Sequence, residues 1–416
     1  MDPIDTDIRA AIGALWAAPP GAAELARARL LLLDTIGCAI AGLREPQVQA
    51  YAQAWRAPGP VRLPGLDDGL STLAFAHVFA AASCWHEACE GLAEAHGRPG
   101  LHAIPAVLGP ALAERLPLGA MLAAIVAGYE IGGRLGAVCR IRPGMHVDGA
   151  WGAFAAAAAL ARLRGLDPTS AAAAIDHVAC GLPCSLYHPI TAGSVARNAY
   201  VGHGVALGIQ AVAATEAGMG GPPGSLAIMA GLLMTAAPER LAHAPGDRLL
   251  LRGYLKRWPA VRHVHYGVAC AEQWRGDPAA IGRIALHTYA EALTYCGNRA
   301  PRSPIQAQFS LSYGVARALA HGTLGPDAYG AEALADPAVA RLEHLVEVIV
   351  DPAIAHRGAR LVVDGWEIAV AQVPDDPGLP MSRDEVVAKF NQFAGPGAER
   401  IAAAVLDGSA DKALTL

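Results

Sequence analysis

From residue 22 to about residue 250 the sequence repeats one device. Apolar stretches rich in Ala, Leu, Val and Gly, each long enough for several helical turns, alternate with short Gly- and Pro-containing breaks. Alanine and leucine are strong helix formers. A chain written this way folds as many packed helices, in water or in a bilayer. The choice matters because 53% of its 416 residues are hydrophobic, only 17% are charged, and mean hydropathy is +0.31. A membrane-spanning helix needs ~20 predominantly apolar residues. Segment 121–139 carries Glu130 and Arg134, and 150–161 is too short. Segment 199–214 holds a central His203, and 225–237 is shorter still. The pattern therefore predicts buried helices of a large α-rich soluble chain with no membrane partner.

Segment 22–43 begins amphipathic and becomes apolar throughout, as a helix entering a core does. Segments 69–85, 103–115, 117–138, 149–164, 169–181, 194–217 and 223–235 repeat the pattern. Pro99-Gly100, Pro143-Gly144, Gly165 to Pro168 and Gly220 to Gly224 read as breakers between them. Asp167-Pro168 has the form of an N-cap followed by proline at the first helical position. Beyond residue 252 charge density rises and β-compatible runs appear at 282–289, 345–350 and 360–374. The last reads as a hairpin turning at Asp364-Gly365. Helices are expected at 304–320 and 327–343, and again in the tail from residue 382. The expected fold is mainly α: a large all-helical domain (1–251), a smaller α+β lid domain (252–379), and a helical return to the first domain (380–416).

Charge excludes some functions. Thirty-two basic against 37 acidic residues give a net charge of −5, with no basic stripe, which argues against nucleic acid as a partner. The acidic opening MDPIDTDIRA has no apolar signal core, so a cytoplasmic setting is expected. Eight cysteines in so long a chain read as buried thiols, not a disulfide framework. No dinucleotide fingerprint, phosphate loop, HExxH or GxSxG is present. His263-Val264-His265 lacks a nearby acid or cysteine at ligand spacing, so no metal is expected. Histidines beside Gly or Pro breaks, among them His96, His102, His146 and His263, are the natural acid/base candidates.

Eight stretches in one order resemble the MmgE/PrpD superfamily of 2-methylcitrate dehydratases, cis-aconitate decarboxylases and iminodisuccinate epimerases. They are LLLDTIGCAIAGL at 31–43, IPAVLGPALAE at 104–114, the AGYE of 127–130 and GMHVDGAWGAFAAAAALARLRGLD at 144–167. The others are ARNAYVGHGVALGIQAVAATEAGMGGP at 196–222, YLKRWPAVRHVH at 254–265, AQFSLSYGVARAL at 307–319 and PMSRDEVVAKF at 380–390. The resemblance implies a helical domain with an α+β lid, a homodimer, no cofactor, and acid/base chemistry next to a carboxylate. It places His146, Lys256 and Tyr313 on family active-site positions.

Elsewhere the sequence departs from the family. The acidic H-x-x-D-x-DD motif appears as HEACEG at 86–91, keeping His86 but placing Cys89 on the first Asp. The segment holding a family histidine reads RPGLHAIPA at 98–106, with Arg98 in its place and His96 and His102 nearby. Arg197 stands where the family has a lysine, so it can grip a carboxylate but not exchange a proton.

The expected activity is a metal-independent lyase, dehydratase-like, that abstracts and returns a proton next to a carboxylate or carbonyl. His146, Tyr313, Lys256 and one of His96 or His102 would be catalytic; Arg197, Arg98, His86 and His263 would bind substrate. Epimerisation, isomerisation or decarboxylation with the same first step is the alternative, and specialised biosynthesis on a less charged substrate is another. A non-catalytic paralogue that binds a ligand or partner is a reading of a different class. Convergence of these residues on one pocket between the two domains favours catalysis; a pocket filled by Trp85 or Trp258 favours binding.

Overall fold

The computed structural model describes every residue except Met1, Asp67, Ala237 and Ala355. The fold is mainly α with a smaller α+β region. One large core gathers helices from Pro3–Ala17 through Ser225–Leu233 and is joined by Met381, Val386, Phe390, Ile401 and Val405 from the C-terminal helices. A second core, from Trp258 to Val373, fills the α+β region.

Small residues set the spacing of the large core. The helix Leu118–Val138 crosses Gly152–Leu163 so closely that a Cβ on Gly132 would lie 2.5 Å from Ala155 Cβ. Alanine on both sides would force the helices apart. Leu118–Val138 is the one described helix long and apolar enough to cross a membrane, and 89% of that window is buried inside the fold. Its charges serve the fold: Arg134 pairs with Glu130 one turn away and donates to the carbonyls of Ala244 (3.1 Å) and Asp247 (2.8 Å). Glu130 accepts the Leu250 N–H at 2.9 Å, so the pair ties down the loop leading out of the helical region.

The α+β region carries a four-stranded sheet in the order Val346–Val350, Ile284–Thr288, Ala359–Val363, Trp366–Val370. The first pair is parallel, with Ile284 opposite Val346; the rest are antiparallel, with Val363 opposite Trp366. The expected hairpin forms at Asp364 (φ 47°) and Gly365 (φ 92°), the left-handed pair that a tight turn of this kind requires. Helices Arg262–Ala271 and Leu311–His321 pack against the sheet.

Three local expectations change. Pro99-Gly100 begins the helix Pro99–Ala113 instead of preceding it, because proline at the first helical position gives up an N–H that would be unpaired anyway. The helix expected over 304–320 breaks into Pro304–Gln308 and Leu311–His321, since the Ser310 hydroxyl caps the second by accepting the Tyr313 N–H at 3.2 Å. The one over 327–343 restarts at Pro337, where Asp336 accepts the N–H groups of Ala338 (2.8 Å) and Val339 (3.3 Å). Among the cysteines, Cys180 and Cys184 are exposed and the other six buried.

Candidate active site

A cavity of about 290 Å³ opens at the seam between the two cores. The helical region contributes the turn after helix Thr72–Trp85 (Glu87 to Arg98), the end of Leu118–Val138, and the stretch 145–151. The α+β region contributes Tyr254, Lys256, Arg262, His263, Glu291 and Arg357. A two-way backbone bridge between Gly91 and Tyr254 (2.9 and 2.8 Å) fixes one wall against the other. Trp151 floors the cavity because Gly97 and Gly136 leave room for its ring; a Cβ on either would lie 2.4 or 2.7 Å from it.

The inner end is a buried ion cluster. Glu87 accepts Lys256 Nζ at 2.6 Å on one carboxylate oxygen, and Arg197 (2.6 Å) and Arg98 (3.3 Å) on the other. Asp148 pairs with Arg98 and, at 3.4 Å, Arg197. All five side chains are buried. Burial would push the Glu87 carboxyl up, but Arg98, Lys256 and Arg197 outweigh it and hold it well below its ordinary value. The same balance, with Arg98 foremost among the opposing charges, holds Asp148 low. Three cations therefore face two carboxylates, leaving one positive charge over. Arg197 reaches this cluster from the 3₁₀ turn Val195–Ala199, whose N-cap is Ser194. Its internal partners are Glu87 and Asp148, not Glu90 or the exposed Glu216.

His146 is pinned beside the cluster. The two-residue strand Met145–His146 pairs with Ser185–Leu186, and the Ser185 hydroxyl bonds to the carbonyls of His146 (2.8 Å) and Asp148 (2.5 Å). Burial lowers the imidazole to about 4, against a smaller opposing pull from Asp148, so it is neutral at pH 7. Its Nδ1 accepts the Asp148 backbone N–H at 3.0 Å, which assigns the ring proton to Nε2. In this state His146 offers a hydrogen-bond donor, not a base.

The outer end is different. Exposed His96 and Arg140 and half-buried Glu291 and Arg357 line it, and the charges of Arg140, Glu291 and Arg357 all reach the His96 ring. His96 (φ 52°), Arg357 (φ 46°) and, deeper in, Glu87 (φ 53°) all hold left-handed backbone conformations. Non-glycine residues adopt these at a cost, and such strain clusters at functional sites. His263 also lines the cavity, with Nδ1 2.5 Å from the Tyr289 hydroxyl and a ring that burial lowers to about 3.

Of the residues singled out in the sequence, His146, Lys256, His96, Arg98 and His263 line the cavity, and Arg197 supports it. Three lie elsewhere. Tyr313 sits in the second core, its hydroxyl donating to the carbonyls of Ala328 (2.5 Å) and Ala333 (3.4 Å). His102 lies behind the wall with both ring nitrogens engaged, by the Arg98 carbonyl (3.1 Å) and the Gly149 N–H (3.4 Å). His86 faces Glu45 at 3.4 Å and the edge of Phe393, away from the cavity. Neither Trp85 nor Trp258 lines it. Sequence reasoning passed over Asp148, although an acid two residues after His146 in a charge-poor chain is a signal. It also passed over Arg262, although that residue stands inside the stretch at 254–265, and over Arg140, Glu291 and Arg357, which lie in no recognisable pattern.

The sequence model of the MmgE/PrpD N-terminal domain matches residues 15–240, and that of the MmgE/PrpD C-terminal domain matches residues 258–408. Two cis-aconitate decarboxylases of Aspergillus terreus, one from strain NIH 2624 / FGSC A1156, are each 35% identical to the chain over 199 residues. The aligned stretch covers 44% of this chain and 39% of the length of those relatives.

Proposed function

The chain belongs to the MmgE/PrpD family, and on that premise we propose that it is a dehydratase-like lyase, needing no cofactor, for a small carboxylate-bearing substrate. One observation carries the reading: the buried cluster of Glu87, Asp148, Arg98, Arg197 and Lys256 has a surplus positive charge beside a cavity. A buried charge without a counter-charge is costly, and a substrate carboxylate supplies one.

The chemistry follows from the lining. Lys256, already oriented by Glu87, holds the substrate carboxylate. His96 takes the proton from the adjacent carbon; burial lowers its pKa below the ordinary 6.5, so it is neutral and ready to accept at pH 7. The C–H electron pair moves into the enolate, whose oxygen receives the His146 Nε2–H bond. Collapse of the enolate breaks the C–O bond at the next carbon. The hydroxyl leaves as water with the proton that His96 returns, and an unsaturated carboxylate remains. His263 and Arg98 shape the pocket. Decarboxylation is the second reading, favoured by the name of the Aspergillus relatives: the C–C electron pair enters the same kind of enolate as carbon dioxide departs, and a proton then quenches it. Epimerisation would return the proton to the opposite face. The homodimer is part of the same proposal, and sedimentation of the purified chain tests it.

The experiment is incubation with citrate, malate and cis-aconitate in deuterated water, read by NMR. We expect deuterium at the carbon next to a carboxylate in at least one of them, slowed ~10²–10³-fold in His146→Gln, the size of losing one oxyanion donor. No exchange in any, or exchange untouched by His146→Gln, would overturn the reading.

A further inference from the structure

We infer that Arg357 and Arg140 form a second anion subsite at the outer end of the cavity, which takes the distal carboxylate of a di- or tricarboxylate. The inference rests on the reading of the cavity as a carboxylate site and names which carboxylates fit it.

The two arginines come from opposite sides of the seam. Arg140 follows the helix Leu118–Val138, and Arg357 sits in the loop leading into the strand Ala359–Val363. Both line the cavity. Among the described residues neither guanidinium has a carboxylate within ion-pair distance, whereas Arg98, Lys256 and Arg262 in the same wall, and Arg197 behind it, are all ion-paired. Arg357 is half-buried, and its Nε is buried without a hydrogen-bond partner. Asp376, whose charge reaches Arg357, is already engaged by Arg262 at 2.7 Å and by the Tyr266 hydroxyl at 2.9 Å.

Tyr254 makes the contrast concrete. Arg262 lies 4.4 Å and Arg357 5.6 Å from its ring centroid. Arg262 is neutralised by Asp376; Arg357 is not. The left-handed backbone at Arg357 costs energy that an idle surface arginine would not need to bear. Glu291 is the carboxylate that lines this end, and it makes no ion pair among the described residues. Two guanidinium charges against one carboxylate leave one positive charge, as at the inner end. Two surplus charges at two ends call for a ligand with two separated anionic groups. Because Arg140 and Arg357 lie on different sides of the seam, that ligand ties the sides together. Guanidinium forks match carboxylates in geometry as well as charge.

Calorimetric titration of the full chain with tricarballylate, a tricarboxylate with no hydroxyl to lose, and with propionate tests this. The wild type is expected to bind tricarballylate at least tenfold more tightly than propionate. Arg357→Gln and Arg140→Gln are each expected to weaken tricarballylate at least tenfold and to leave propionate unchanged. Circular dichroism checks that the variants are folded. Arg357→Lys keeps the charge without the fork and should fall between. Unchanged tricarballylate affinity in both glutamine variants, with binding lost in Lys256→Met, would overturn the second subsite and leave the lyase reading intact. Failure of the wild type to bind either acid would overturn both.

Discussion

The two ends of the cavity use the same residue types to opposite effect. At the inner end every carboxylate is ion-paired: Glu87 holds three cations and Asp148 two. At the outer end Arg140, Glu291 and Arg357 face the cavity without ion-pair partners among the described residues. The inner end is therefore an internal scaffold whose one spare charge is fixed in place. The outer end is the one proposed to receive a ligand's second anionic group. A buried network of this kind makes geometry rigid at little net gain in stability, and losing one member is expensive.

That expense gives the largest expected effect. Glu87→Gln leaves buried Lys256 without a carboxylate and makes Arg98 and Arg197 share Asp148 alone, and unfolding by urea should show a loss of about 3–5 kcal/mol, the cost of breaking a buried pair. A loss below 1 kcal/mol would mean that the inner cluster is not the scaffold described. Next comes Glu90, just behind the cluster. Its carboxyl accepts the Leu101 N–H at 3.1 Å and the Tyr129 hydroxyl at 3.3 Å, and burial pushes it up from 4.5 to about 7. A raised folded-state pKa means that the folded chain binds the extra proton. Its contribution is full below pH 4.5 and declines as pH rises to about 7. Glu90→Gln should therefore stabilise the protein at pH 8, by up to about 1.4 kcal/mol for each unit of that interval, and make no difference at pH 4. Equal effects at both pH values would contradict the assignment.

The smallest effect is expected outside both ends. Tyr313→Phe removes a hydroxyl bonded to backbone carbonyls in the second core. It should cost about 1 kcal/mol of stability and leave kcat/KM on any substrate found within about twofold of wild type. A large loss of kcat at unchanged stability would return Tyr313 to the chemistry and redraw the cavity.

Much of the fold was legible because its signals are local. The Asp364-Gly365 turn and the Asp167 cap, which accepts the N–H groups of Thr169 (2.8 Å) and Ser170 (3.1 Å), follow from chemistry within four residues. The helical breaks at Phe309-Ser310 and Asp336-Pro337 were local too, but an apolar period running through them masked the caps. Half of the site was legible for another reason: His146 and Lys256 stand in stretches that resemble a family. The rest depends on pairings across the chain. Arg197 meets Glu87 at a separation of 110 residues and Asp148 at 49, and no pattern of spacing announces either. Arg357 lies in a loop without periodicity, where its neighbours in sequence say nothing about the cavity its side chain lines. Tyr313 shows the converse. Its motif is legible, but the Ser310 cap starts a helix that carries the hydroxyl toward Ala328.

The most direct measurement is a crystal structure with tricarballylate bound. One carboxylate should lie within hydrogen-bonding reach of Lys256 and His146, and another within reach of Arg357 and Arg140. A ligand seated anywhere else, including the separate hollow lined by Arg44 and Arg400, or one that leaves both arginines without a contact, would contradict the division of the cavity into an ion-paired end and a receptive one.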